Sequence, residues 1–136
     1  MIKQLKNNFM QAAFGTTLWM ALLITLFAHP ATIPFSFIWR LLGMGCLFGL
    51  IFGVIYPYLW NYSTFKAQVN IALSTVANTL GGFGILYLFS WEMFVQIRPF
   101  FLLILLVTLL GHIAGFYFYS NYENKKLAAA LNRGRK

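Results

Sequence analysis

Acidic residues are almost missing from this chain: Glu92 and Glu123 are the only two in 136 positions, and cysteine occurs once. Each shortage removes a class of chemistry. Glu92 and Glu123 are predicted on opposite faces of a membrane, so no carboxylate pair is available for general acid–base work. The single thiol, Cys46, excludes an intrachain disulfide and says nothing of the redox compartment. With no base or cation near it in an apolar run, Cys46 is expected to be a packed core group rather than a nucleophile. Of the two histidines, His29 is predicted at the outer surface and His112 deep in an apolar run, too far apart to share a metal. No glycine-rich phosphate loop follows a strand, and Gly81-Gly82-Phe83-Gly84 lies inside an apolar run, where it suggests close packing. These shortages point away from an enzyme and imply no cofactor.

What the chain does have is apolar. Hydrophobic residues make up 60% and charged residues 9%, against roughly 25% charged in soluble domains. Ten lysines and arginines give a formal net charge of +8. In a soluble protein that excess would suggest nucleic acid. Here the cations cluster at the ends of apolar runs, so the expected partners are the bilayer and its anionic lipids, with no direct nucleic-acid binding. Four runs, at about 9–28, 39–60, 67–90 and 98–120, reach the ~20 residues a spanning helix needs. The fold expected is therefore all-α: one integral membrane four-helix bundle over residues 1–136.

The first run follows a short polar leader carrying Lys3 and Lys6. It is too long for a signal-peptide core, and its exit at His29-Pro30 offers no small-residue cleavage site, so it is expected to be retained. Pro57 cannot donate to the Gly53 carbonyl, which predicts a kink in the second span. Ser63 or Thr64 is placed to cap the third. Residues 91–96 form a predicted loop, after which Arg98-Pro99 opens the fourth span with proline in its first turn. Residues 121–136 form a basic tail with a short alanine-rich helix.

Charge sets the orientation. The leader, the 61–66 turn and the tail share one side and hold eight of the ten cations: Lys3, Lys6, Lys66, Lys125, Lys126, Arg133, Arg135 and Lys136. Only Arg40 and Arg98 lie on the other side, so the positive-inside rule predicts both termini in the cytoplasm of a bacterial cell. The aromatic belts agree, with Trp39 and Trp91 outside and Trp60, Tyr62, Tyr119 and Tyr122 inside.

Three patterns stand out. Gly45, Gly49 and Gly53 recur every four residues and form a flat stripe where another helix can approach closely, within one bundle or between two copies. Gly111 and Gly115 offer a second small pair on the fourth span. Asn70, Ser74, Asn78 and Gly82 make a polar ridge on the third span, suited either to interhelical hydrogen bonds or to lining a small polar or ionic substrate. His112 is the one ionisable group predicted deep in the membrane, a position that marks functional candidates. It would relay a proton or sense pH, or else stay neutral on Asn78, Thr108 or a backbone carbonyl. In the tail, Lys125, Lys126, Arg133, Arg135 and Lys136 flank Leu127 and Leu131, whose i, i+4 edge suits anionic lipid or a cytosolic protein.

With its spans placed, the chain resembles a family of small four-span bacterial membrane proteins that accompany DNA-binding regulators of the LytTR type. The likeness rests on the Lys-led start and on Gly49-Leu50-Ile51-Phe52-Gly53 followed by an aromatic turn. It continues in Tyr117-Phe118-Tyr119 and in a tail with Lys125-Lys126-Leu127 and Leu131-Asn132. Asn78 stands where a histidine would be expected. The resemblance implies a membrane subunit that restrains a cytosolic LytTR regulator, and the cytosolic charge of Lys66 and residues 125–136 makes them the expected docking surface. Two other classes fit the residues: a homo-oligomeric transporter or channel with a path lined by Asn70, Ser74, Asn78 and His112, and a structural accessory subunit. Against transport stands the lack of a membrane carboxylate, such as the glutamate a small multidrug transporter would carry in its first span.

Overall fold

The computed structural model describes residues 1–28 and 32–133. His29, Pro30, Arg135 and Lys136 lie outside them, as does the side chain of Arg133. Every regular element is helical among the described residues. Helix α1 is Ile2–Leu23 and continues as a π-helical turn, Ile24–Ala28. Helix α2 is Phe37–Phe48, followed without a break by a π segment, Gly49–Ile55, and by α3, Tyr56–Asn61. Helix α4 is Ala67–Phe89, α5 is Trp91–Ile97, and α6 is Phe101–Arg133. Four helical stretches are long and apolar enough to cross a membrane: Ile2–Phe27, Phe37–Asn61, Ala67–Phe89 and Trp91–Asn132.

Packing follows chain order. Helix α1 lies on α2 and the π segment, and α4 lies between α2 on one side and α6 on the other. The first of these contacts is made backbone to backbone. A methyl group added at Gly45 would stand 2.8 Å from the Ala13 carbonyl oxygen, at Gly49 2.9 Å from that of Phe9, and at Gly53 2.6 Å from the Phe9 Cα. All three glycines are buried. The stripe is thus filled within the chain, by Phe9, Ala13 and Thr17 of α1, which removes it as a contact between copies. Gly81 and Gly84 do the same work across the next interface, against Ile51 and Leu47.

The π segment explains how the stripe stays straight. On an α-helix each four-residue step overshoots one turn by about 40°, so three glycines at that spacing would wind away from their partner. Wider π turns undershoot and cancel the drift. The Tyr56 N–H reaches back five residues to the Ile51 carbonyl, immediately before Pro57, whose missing donor makes a regular α-turn incomplete here. The expected kink at Pro57 is accordingly a π-widening over Gly49–Ile55, a usual way for a helix to absorb such a defect.

Several expectations are corrected. The leader is not a separate polar segment, because α1 starts at Ile2. Residues 91–96 are helix α5 rather than loop. Ser90 Oγ accepts from the Met93 N–H at 3.3 Å, Glu92 sits in the first turn, and Phe94 packs 6.3 Å from Phe83 and 5.6 Å from Tyr87. A cap, a favourable charge at the helix start and an aromatic anchor suffice for a short helix. Neither Ser63 nor Thr64 caps α4. The cap residue is Lys66, which offers no side-chain bond. Cys46 is exposed, not packed, since its neighbour Gly45 takes the face toward α1. Gly111 and Gly115 are exposed with nothing within 4 Å of an added Cβ, so they do not pack inside the bundle. His112, one residue on, takes the inward face. The basic tail is no separate helix: residues 121–133 continue α6.

These contacts predict a sharp contrast between glycines. Gly53→Ala pushes a methyl into the Phe9 backbone and is expected to cost about 1–3 kcal/mol, the usual range for overpacking. Gly111→Ala enters open space and should stay within about 0.5 kcal/mol of the parent. Reversible unfolding in mixed micelles checks both, and equal effects would show that α1 does not pack on this stripe.

Candidate functional site

A polar cluster joins three of the four spans near the middle of α4. Its centre is His112 of α6. Nδ1 lies 2.8 Å from the Thr108 carbonyl oxygen, one turn back, and 3.2 Å from Thr75 Oγ1 of α4. Nε2 is hydrogen-bonded to the hydroxyl of Tyr56, the first residue of α3. The partners dictate the proton positions. A carbonyl only accepts, so Nδ1 carries a proton. Thr75 donates its own proton to the Ile71 carbonyl at 2.8 Å, leaving a lone pair toward Nδ1–H. Nε2 shares a hydrogen bond with the Tyr56 hydroxyl, which can either donate or accept. Both ring nitrogens have a partner.

The cluster stands on aromatic packing. Phe48, Phe52 and Tyr56 form a ladder along the second span with ring centroids 4.3 and 5.0 Å apart, and Tyr56 meets the His112 ring at 5.5 Å. One turn further on, Trp60 packs 5.9 Å from Phe116 and 5.7 Å from Tyr119. Its indole N–H donates to Ser74 Oγ at 3.1 Å, and Ser74 is fully buried. The turn after α3 is pinned by a second small network. Asn70 Nδ2 donates to the Leu59 carbonyl at 2.8 Å, while the single Ser63 proton reaches either that carbonyl, at 2.8 Å, or Asn70 Oδ1, at 2.9 Å. Tyr62 donates to Gln4 Oε1 at 2.7 Å, which brings the start of α1 to the same end as this turn.

The ridge read from the sequence therefore divides. Asn70 and Ser74 serve the end of the second span, whereas His112 is met by Thr75, one position along. Asn78 is half-buried and is not a partner of His112, and Gly82 is exposed. The cause is the same 40° drift per four-residue step, which carries the ridge around α4. Asn70, Ser74 and His112 thus bond to different partners within the chain. Tyr56 and Thr75, which sequence reasoning passed over, complete the cluster instead. A usable signal was present, since Thr75 and Thr79 form their own four-residue pair beside Ser74. Thr79 Oγ1 is buried, with the residue 3% exposed, and has no hydrogen-bond partner among the described residues.

The basic set lies elsewhere. Lys66 is exposed at the start of α4, and Lys125, Lys126, Leu127 and Leu131 are exposed along the last turns of α6. Lys126 lies 3.9 Å from Glu123. No group of three or more His, Cys, Asp or Glu side chains converges among the described residues.

No family model matches the chain, and neither a curated protein nor a solved structure matches it.

If Tyr56 and His112 hold the second and fourth spans together, a double-mutant cycle of Tyr56→Phe and His112→Leu should give a coupling of about 0.6–1.7 kcal/mol, the range for hydrogen bonds between membrane helices. Additive effects would mean that the bond adds nothing. Thr79→Val removes a buried hydroxyl without a protein partner at similar volume and is expected to stabilise by about 1 kcal/mol.

Proposed function

We propose that this protein is a membrane-embedded regulatory subunit, with both termini in the cytoplasm, that holds a cytosolic protein at the bacterial membrane. The observation that carries the reading is the continuity of α6. Its 33 residues extend about 50 Å, well beyond the ~30 Å hydrocarbon core. One rigid rod thus joins His112, bonded across the bundle, to Lys125, Lys126, Leu127 and Leu131 outside it. A change in how α6 sits against Tyr56 and Thr75 would move the exposed segment as a unit, which is what a sensor coupled to a docking surface requires. Lys66 lies at the same end and widens the basic face. The resemblance to the companions of LytTR regulators names the class of partner, a DNA-binding regulator whose access to DNA ends when it is held at the membrane.

The reading is tested by mild-detergent purification from the native cell, with a tag inserted beside Ile33, outside the helices, so that both termini stay free. A stoichiometric cytosolic DNA-binding protein is expected in the purified complex. Deleting residues 123–136 from the stably inserted protein should reduce its recovery at least tenfold. A homo-oligomer without a partner would overturn the proposal in favour of transport.

A further inference from the structure

Where α6 runs past the start of α4, a cleft of about 400 Å³ lies along α6, with Ile71 of α4 on its other side. Its character changes along its length. Ile71, Ile113 and Phe116 line one part, and Ser120, Asn121 and Asn124 line the other. The change coincides with the aromatic level set by Trp60, which packs on Phe116 and Tyr119. The apolar part therefore lies at acyl-chain depth and the amide and hydroxyl part at headgroup depth.

Charge at the polar mouth is of one sign. Lys125 follows Asn121 by one helical turn and is exposed, as is Lys66 at the start of α4. The one acid nearby, Glu123, turns to Lys126. Two carboxamides and a hydroxyl beside an ammonium group suit a phosphodiester, which accepts several hydrogen bonds and carries one negative charge. A soluble anion would match the mouth but leave the apolar floor uncovered. A zwitterionic lipid would bring its own cation toward Lys125.

We propose that this cleft is a binding site for a single anionic glycerophospholipid, with one acyl chain against Ile71, Ile113 and Phe116 and its phosphate held by Ser120, Asn121, Asn124 and Lys125. Such a site differs from diffuse attraction of the basic tail to a charged membrane, because it has a defined stoichiometry and depends on uncharged side chains. It does not rest on the partner-binding reading above and is tested on the purified protein alone.

Native mass spectrometry of the full chain, released from micelles holding equal phosphatidylglycerol and phosphatidylcholine, reads the outcome directly. One phosphatidylglycerol per chain is expected, retained about tenfold over phosphatidylcholine. Ser120→Leu with Asn124→Leu, which fills the mouth without changing the charge, should bring that ratio within twofold. Lys126→Gln, which removes a charge that faces Glu123 and does not line the cleft, should leave it near tenfold. Lys125→Gln gives a second reading that does not depend on tolerance of the leucines and should lower the ratio at least threefold. Equal retention of the two lipids, or a preference lost only with Lys126, would overturn the proposal.

Discussion

The contact on which the rest of this fold depends is the approach of two backbones, α1 against Gly45, Gly49 and Gly53. In lipid the hydrophobic effect does not drive helices together, so their association relies on van der Waals contact and on interhelical hydrogen bonds. Glycine brings the backbone of Phe9 and Ala13 within contact of the second span, and everything beyond is placed relative to that span. Because the stripe faces α1, the opposite face of the same helix is left for α4. Gly81 and Gly84 repeat the device there, receiving Ile51 and Leu47. Small residues on one helix and branched side chains on the next replace the thick apolar core of a soluble bundle, which is why so few residues here are fully buried.

Polar groups perform a different task in this arrangement. A glycine interface is permissive about sliding, since flat surfaces have no preferred register. Hydrogen bonds are directional, and those inside the bundle sit where register must be fixed. Trp60 to Ser74 sets the second span against α4. Asn70 and Ser63 on the Leu59 carbonyl fix the turn between them. Tyr56 and Thr75, both on His112, set α6 against its two neighbours. Each bond is weak on its own, ~0.6 kcal/mol on average in a membrane, but a shift of one turn would break all of them together. The fourth span is thereby held in one position along its axis, and that position fixes how far its basic end projects.

The span count, the helical class and the glycine stripe were legible in the sequence because each depends on composition and periodicity. Twenty apolar residues in a row leave few alternatives, and glycine every fourth position has a direct steric meaning. The polar site was legible only in part. His112 and Thr108 were singled out, and the histidine does bond to the Thr108 carbonyl, since an imidazole four residues on can fold back to it. Tyr56 escaped notice because a tyrosine near the end of a span looks like part of an interfacial belt. Thr75 was hidden beside Ser74, where a four-residue ridge drew the eye to the wrong neighbour. Helix α5 was misread as loop because a seven-residue helix depends on one cap and one aromatic anchor, and neither has a period to detect. Exposure in a membrane helix, as at Cys46, is the least legible property, since the lipid-facing and the protein-facing sides are both apolar.

Helix α6 is the longest element among the described residues, and its inward face changes in composition along its length. Going outward from Phe101, that face carries Thr108 and His112 inside the bundle, then Phe116 under Trp60, then Ser120 at the cleft and Glu123 beyond it. Polarity alternates with aromatic packing, not with depth alone. Phe116 and Tyr119 pack on Trp60 between His112 and the polar part of the cleft, little more than two turns away. What joins them is the helix itself. A lipid seated between α4 and α6 at Ile71 would wedge the same interface that Thr75, one turn along, closes on His112.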